Sequence, residues 1–365
     1  MHIRILDKYI FREVTITFIF GICAFSAVFI GSGTLFRISQ YITDYGASFS
    51  SVVKIFVLGL PSIVIWTFPM SMLLAVLLTF GRLSSSSEIT AMKSCGIGFS
   101  RLAMPAIILG IGVSIFAILF NEYVVPQANS MYSNVLYYEI QHNTQPKSQD
   151  HIILKSIKDG KIQQLIYARR YDGEKNEMQS VTMQDYGTEG NVKRVETAEY
   201  ATWDGKGWLL HDGVIYDVAE DGQENHRMRF DTQKLPVDTS PTQIVREQKK
   251  PEELTMKELR EQIDIMRTQF VDTNKLEAEL YQRVTVPMAS LIFALVGIPL
   301  GLQPARNSSS KGFALSVLII FCYYSIMTLA NAIARAGTIS PLIAVWIPNI
   351  IGLIAGCYLM KRASR

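Results

Sequence analysis

Charge is what this 365-residue chain has least of: only 18% of its residues are Asp, Glu, Lys or Arg, against 49% hydrophobic. Soluble domains average about 25% charged residues, so an ordinary soluble fold is the first class to be excluded. Intrinsic disorder fails on the same composition. Cysteine is scarce: Cys23, Cys95, Cys322 and Cys357 form no CxxC pair, which argues against a disulfide framework and a thiolate zinc site. The five histidines, at 2, 142, 151, 211 and 226, are scattered through polar segments. Phosphate-loop, H-E-x-x-H and G-x-S-x-G patterns are missing, so the sequence offers no catalytic residue, metal site or cofactor of its own. Any work against a gradient must draw on a partner or an ion. No broad basic face with interleaved aromatics is present, which excludes nucleic acid as a partner.

Long uncharged runs fill the space instead. They cover 14–36, 55–81, 102–121, 284–305, 312–334 and 336–360. At about 1.5 Å per residue, each can cross a hydrocarbon core of about 30 Å. The first run is too long for a signal-peptide core, although Gly31-Ser-Gly33 imitates a small-residue cleavage site. Lys and Arg mark the cytoplasmic side of short loops. Eleven of them, Arg4 to Arg12, Arg82 to Arg101, Arg306, Lys311 and the C-terminal three, fall on one side, against Arg37, Lys54 and Arg335 on the other. Both termini are therefore expected in the cytoplasm.

The net charge of +3 conceals two opposed parts: residues 124–280 hold 20 basic against 27 acidic side chains, while the remainder holds 15 against 5. Three spans precede that acidic interval and three follow it, which puts it outside the cytoplasm, with Arg283 at its membrane border. Its pattern changes to alternation, as in Ile162-Gln-Gln-Leu-Ile-Tyr-Ala-Arg169, which reads as strand. Trp203-Asp-Gly-Lys-Gly-Trp208 predicts a tight hairpin with paired aromatics, and His211-Asp-Gly213 a further turn. The expected form is an antiparallel sandwich or jelly roll. From Pro251 the apolar spacing of Leu254, Leu259, Ile263 and Met266 returns to helix. The resulting division is 1–123 (three spans, with a loop helix at about 84–96), 124–280 (a β domain with a return helix) and 281–365 (three spans).

The loop between spans two and three, Gly81-Arg-Leu-Ser-Ser-Ser-Ser-Glu88-Ile-Thr-Ala-Met-Lys-Ser-Cys-Gly96, is the most informative short segment. Ser85 and Glu88 stand at capping-box spacing, Gly96 is placed to end the helix, and Ile89 and Met92 share a face. The helix either rests on the membrane surface or docks in a groove of a motor domain, with Arg82, Ser85, Glu88, Ile89, Met92 and Gly96 as the coupling set. At the other side, Arg37, Arg335 and, more weakly, Lys54 either reach lipid headgroups by snorkelling or face an anionic ligand. A guanidinium suits a phosphorylated headgroup because it stays charged and binds phosphate through two hydrogen bonds. Gly297-Ile-Pro-Leu-Gly301 and Gly352-Leu-Ile-Ala-Gly356 permit close helix approach.

Several short stretches, taken in order, resemble a known family. They are Leu6-Asp-Lys-Tyr-Ile10, Ser87-Glu-Ile-Thr-Ala-Met92, Asn121-Glu-Tyr-Val-Val-Pro-Gln127, Arg283-Val-Thr-Val-Pro287, Gly297-Ile-Pro-Leu-Gly301 and Phe321-Cys-Tyr-Tyr324. Their sequence across nearly the whole chain resembles the permease subunits (LptF/LptG type) of the lipopolysaccharide-export ABC transporter. The resemblance implies six transmembrane helices with a periplasmic jelly roll between the third and fourth, in the bacterial inner membrane. It also implies assembly with a cytoplasmic ABC ATPase dimer, which binds the ATP, and with a second homologous permease. Lipopolysaccharide would be the cargo, handed to single-span and soluble periplasmic jelly-roll bridge proteins. Glu88 and its helix would touch the ATPase, Arg37 would face cargo phosphates, and spans one and five would form lateral gates. Which of the two paralogues this is, or whether it pairs with itself, stays open. A membrane-anchored sensor or mechanotransmission protein is the alternative. It has little support, because the longest cytoplasmic loop, about twenty residues, leaves no room for an output domain.

Overall fold

Backbone amides inside a bilayer find no water, so uncharged runs of this length satisfy their hydrogen bonds internally, as helices. The computed structural model describes residues 5–141, 149–158, 161–173, 175–187, 191–205, 207–218, 224–235, 249–268, 270–302 and 308–364. Arg4, Arg306 and Arg365, used above for orientation, lie outside them.

Helix α1 (Ile5–Phe29) passes through a π-helical turn (Ile30–Thr34) into α2 (Leu35–Tyr45). Helix α3 (Phe49–Ser85) is followed by the short α4 (Glu88–Ser94). The third run joins α5 (Phe99–Tyr123), α6 (Val125–Asn134) and a second π turn (Val135–Ile140). Beyond the sheet come α7 (Met256–Thr268), α8 (Asn274–Gly301), α9 (Ser308–Arg335) and α10 (Pro341–Ala363). Six helical runs are long and apolar enough to cross a membrane, three before the sheet and three after it in the chain. The first three are 41, 37 and 42 residues long. At about 1.5 Å per residue they reach roughly twice the depth of the hydrocarbon core, so they project well beyond the uncharged stretches seen in the sequence. Gly31-Ser-Gly33 lies inside the first π turn.

Spans two and four form the axis of the bundle. Their most apolar windows are 78% and 72% buried, against 11% for span one and 22% for span five. Span two packs on spans one, four and five, and span four on two, three and six. Both small-residue motifs lie at these crossings. A Cβ on Gly301 would stand 3.0 Å from Phe80 Cβ and 3.2 Å from the Leu77 carbonyl, and one on Gly356 3.0 Å from Leu295 Cβ. Spans one and five leave Ile16, Ile19, Phe20, Leu318, Phe321 and Leu329 exposed, apolar faces suited to lipid or to another membrane protein.

Residues Gln141–Lys250 make a compact unit of their own. It is narrower than the interval 124–280, because α6 and the return segment pack with the helices, where Leu259, Ile263 and Met266 are buried. Strands β1 (Gln149–Lys158), β2 (Lys161–Asp172), β3 (Glu177–Tyr186), β4 (Val192–Trp203), β5 (Trp208–Val218) and β6 (Glu224–Lys234) pair antiparallel in chain order. Among the described residues the strands form one six-stranded antiparallel sheet in chain order, which is consistent with the expected jelly roll. The expected hairpin is present. Trp203 pairs with Trp208 across β4 and β5, their ring centroids 5.4 Å apart and edge to face. Trp208 is fully buried in an apolar layer with Tyr171, Met178 and Val181.

The turn expected at His211-Asp-Gly213 is not there, since β5 runs straight through it. Gly213 is needed for another reason: a Cβ there would collide with the Phe230 ring and the Thr197 carbonyl. Asp212 beside it takes a positive φ of 51°.

Candidate functional site

Two polar clusters lie at opposite ends of the helical unit. At the end carrying both termini, Ile10 of α1, Leu83 of α3, Ile89 of α4 and Leu102 of α5 share one core, against which Met360 and Ala363 pack. Burial of Leu77, Phe80 and Leu83 carries α3 on through Ser85. The break before α4 is thereby compressed to Ser86 and Ser87, and Ser87 adopts a left-handed φ of 61°. The capping box expected from Ser85 and Glu88 does not form. Ser85 is still inside α3 and donates its hydroxyl to the Arg82 carbonyl at 2.9 Å, while α4 has no side-chain cap.

Glu88 is instead held by its own chain. One carboxylate oxygen accepts from the Tyr9 hydroxyl at 3.0 Å and the other from the Ser86 hydroxyl at 2.9 Å. Arg82 pairs with Glu13 at 2.6 Å, and Arg101 with Asp7 at 3.2 Å. The first turns of α1 are thus fastened to both flanks of the loop helix.

Ile89 is 5% exposed and Met92 packs on the same core, so these two, expected to face a partner, anchor α4 to its own bundle. The face open to a partner consists of Thr90, Ala91, Lys93 and Ser94. Gly96 ends the helix as expected. Its φ is +80°, its N–H donates to the Lys93 carbonyl at 2.9 Å, and Ile97 N–H donates to the Met92 carbonyl at 3.2 Å. These two bonds make a Schellman motif.

At the far end the three candidate cations have separate partners. Arg37, one turn beyond the π segment, is exposed and close enough to the Tyr132 hydroxyl to interact with it; Tyr132 itself stands 3.5 Å from the Tyr41 hydroxyl. Lys54 is engaged by Glu139 at 2.9 Å, on the second π turn. Arg335, exposed at the end of span five, interacts with Glu279. Among the described residues no cluster of three or more His, Cys, Asp or Glu is arranged to hold a metal ion.

The family model described as lipopolysaccharide export system permease LptF/LptG matches residues 8–362, which take in all six spans and the sheet. The chain belongs to the LptF/LptG family. A lipopolysaccharide export system permease protein LptF of Escherichia coli (strain K12) is 23% identical over 335 residues, 87% of this chain and 84% of the relative. The LptF of Shigella flexneri matches to the same extent. A lipopolysaccharide export system permease protein LptG of Haemophilus influenzae is 18% identical over 372 residues, covering 99% of both chains.

Membership gives the stretches noted in the sequence a structural setting, and one LptF/LptG residue stands out that sequence reasoning left at the membrane border. Arg283, at the head of Arg283-Val-Thr-Val-Pro287, is 7% exposed. Its guanidinium donates to the main-chain carbonyls of Leu254 and Pro251, the latter at 2.6 Å. The carboxylates of Glu279, Glu122, Glu252 and Glu258 act on it electrostatically. No local pattern marks this arginine as buried, because the groups around it come from positions up to 161 residues earlier in the chain.

Proposed function

We propose that the chain is the transmembrane permease subunit of an ABC transporter that extracts lipopolysaccharide from the inner membrane. The carrying observation is the family match over 8–362, which leaves no span and no strand outside it. In this reading a second, homologous permease completes the pathway, and both LptF and LptG appear among the relatives. The thinly covered spans one and five, with their apolar faces, support a lateral opening against that second permease. A cytoplasmic ABC ATPase dimer supplies the energy and docks on the exposed face of α4. The small side chains of Thr90, Ala91 and Ser94 let a groove approach the helix closely beside Lys93, whose ammonium lies over the Phe99 ring.

Cargo then passes from the bundle to the sheet domain on the periplasmic side and onward to single-span and soluble bridge proteins built from similar sheets. Exposed outer strands would permit such continuation by strand addition. Arg37 remains the best placed cation for a cargo phosphate, since Lys54 is held by Glu139. Net negative charge on the sheet domain is compatible with carriage of lipid, because acyl chains are held by apolar side chains rather than by surface charge.

Affinity purification of the native protein in mild detergent, with mass spectrometry of what accompanies it, tests the reading. A soluble ATPase and a second six-span permease are expected, with the ATPase lost from a Thr90→Arg, Ala91→Arg variant whose side chains project from the open face of α4. An intact preparation that brings down no ATPase overturns it.

A further inference from the structure

Span one is built in two parts, and the joint between them is the first π turn, Ile30–Thr34. The inner part is fastened along its length. Ile10, Val14, Phe18 and Gly21 are buried. Glu13 pairs with Arg82, the Thr79 hydroxyl donates to that of Thr17 at 3.3 Å, and a Cβ on Gly21 would stand 3.0 Å from Ser71 Cβ. The outer part, α2, buries no residue. Ile38 and Tyr41 are half-buried on its inward side, while Arg37, next to Ile38, is exposed. The Tyr41 and Tyr132 hydroxyls, 3.5 Å apart, are far apart for a hydrogen bond.

The second π turn, Val135–Ile140, shows what a fixed joint requires. Ile140 is fully buried there, and the Glu139 carboxylate accepts from Ser51 at 3.0 Å and from Lys54 at 2.9 Å. The first π turn buries nothing, and a Cβ on Gly31 or Gly33 would meet nothing within 4 Å. Packing therefore does not require these glycines; what they supply is a backbone that leaves the α-helix easily. Leu35 N–H donates to the Ile30 carbonyl, five residues back. Ser32 donates its hydroxyl to the Phe29 carbonyl at 3.3 Å, a back-bond of the kind that bends helices.

A π turn carries one residue more than the α turn it replaces. When it relaxes to α with the inner part held, everything beyond it rotates by one residue, about 100°. At the far end Gly46, with a φ of +63° and open space at its Cβ position, has the backbone freedom to let the connection to α3 follow.

We propose that Ile30–Thr34 is a register switch in span one. In its π form Ile38 and Tyr41 face the bundle. In its α form Arg37 and Gln40 take those two directions, so the guanidinium is presented to the interior for a phosphate-bearing ligand and withdrawn as the π turn re-forms. The switch rests on geometry alone; its use on cargo rests on the transport reading.

Two variants drive the rotation in opposite senses. Deleting Gly31 takes out the extra residue, so a continuous α-helix keeps Ile38 and Tyr41 facing the bundle and cannot turn. Gly31→Ala with Gly33→Ala favours α-helix over the wider turn and drives Arg37 inward. Labelling by an impermeant maleimide is read in the full-length protein in lipid nanodiscs, with Arg37→Cys or Ile38→Cys added to each variant and to the wild type. The native Cys23, Cys95, Cys322 and Cys357, all exposed, are first changed to serine. Position 37 is expected to label faster than position 38 in the deletion, and the ratio to fall several-fold in the alanine pair, with the wild type between them. Equal ratios in the two variants overturn the switch; should the deletion not fold, equal ratios in the alanine pair and the wild type do so.

The same deletion and alanine pair, with Arg37 and the native cysteines in place, are then compared in the purified complex for release of lipopolysaccharide from proteoliposomes. Several-fold slower release with ATP hydrolysis retained is expected of the deletion. Release at the wild-type rate overturns the use of the switch in transport. A wild-type complex that retains no ATPase defeats the transport reading instead, and the labelling still decides the switch.

Discussion

Several residues here have a role set by partners far away in the chain. Tyr9 and Ser86 take up both oxygens of Glu88, so a docking ATPase would meet a carboxylate already oriented. The Arg82–Glu13 pair beside it is partly exposed, with side chains 49% and 30% accessible, and is worth at most about 1 kcal/mol. Its value is in register rather than in stability. In the sheet, Glu196 is 3% exposed and accepts one bond from Gln233 at 3.1 Å. Burial pushes its carboxyl above the usual range, the Gln233 bond opposes this, and Asp185 adds to it. The folded sheet therefore binds a proton that the unfolded chain has already released. The stabilisation is complete below the unfolded value of about 4.3 and is lost as pH rises through the higher folded value. Hydrogen-exchange protection of β4 should fall across that window in the wild type and stay level in Glu196→Gln; an equal fall in both would remove Glu196 as the cause.

Among the elements, α3 and α8 decide how the bundle closes. Their crossing depends on Gly297 and Gly301, because at Gly301 a Cβ would meet Phe80 and the Leu77 carbonyl, neither of which can move without shifting a helix. Gly301→Leu is expected to cost about 1–3 kcal/mol by overpacking, seen as a lower unfolding midpoint in detergent. Gly112→Leu, where a Cβ meets nothing within 4 Å, should leave the midpoint unchanged. A buried polar chain adds to the same assembly: Tyr323 donates to Asn349 at 2.7 Å, and Asn349 donates to the Thr285 carbonyl at 2.8 Å. It links spans four, five and six where an unpaired polar group would be costly in lipid. Tyr323 belongs to Phe321-Cys-Tyr-Tyr324, and its neighbour Tyr324 donates to the Trp66 carbonyl at 3.1 Å in span two.

For the whole molecule, orientation is the property most open to direct measurement. Cys95 is exposed just after α4 at the end that carries the termini, whereas Cys23, Cys322 and Cys357 are exposed on the flanks of spans, where lipid would cover them. With that end in the cytoplasm, an impermeant maleimide should label Cys95 in inside-out vesicles and not in right-side-out ones. The opposite pattern would invert the topology and remove the docking role of α4.

The sequence alone was enough to determine six spans, the change to strand after the third, the return to helix at Pro251 and the left-handed stop at Gly96. Each of these depends on a local quantity: run length, two-residue alternation, apolar spacing, or the freedom of a residue without Cβ. Tertiary packing decided the rest. Continued burial of α3 displaced Ser85 from a cap, the core took up Ile89 and Met92, and the sheet formed as a meander in which Gly213 makes room for Phe230. Lys54 found Glu139, and Arg283 found the main chain at Pro251. Such pairings join residues 85 and 32 positions apart, and a carboxylate or carbonyl at that separation leaves no periodicity in the sequence from which its partner could be read.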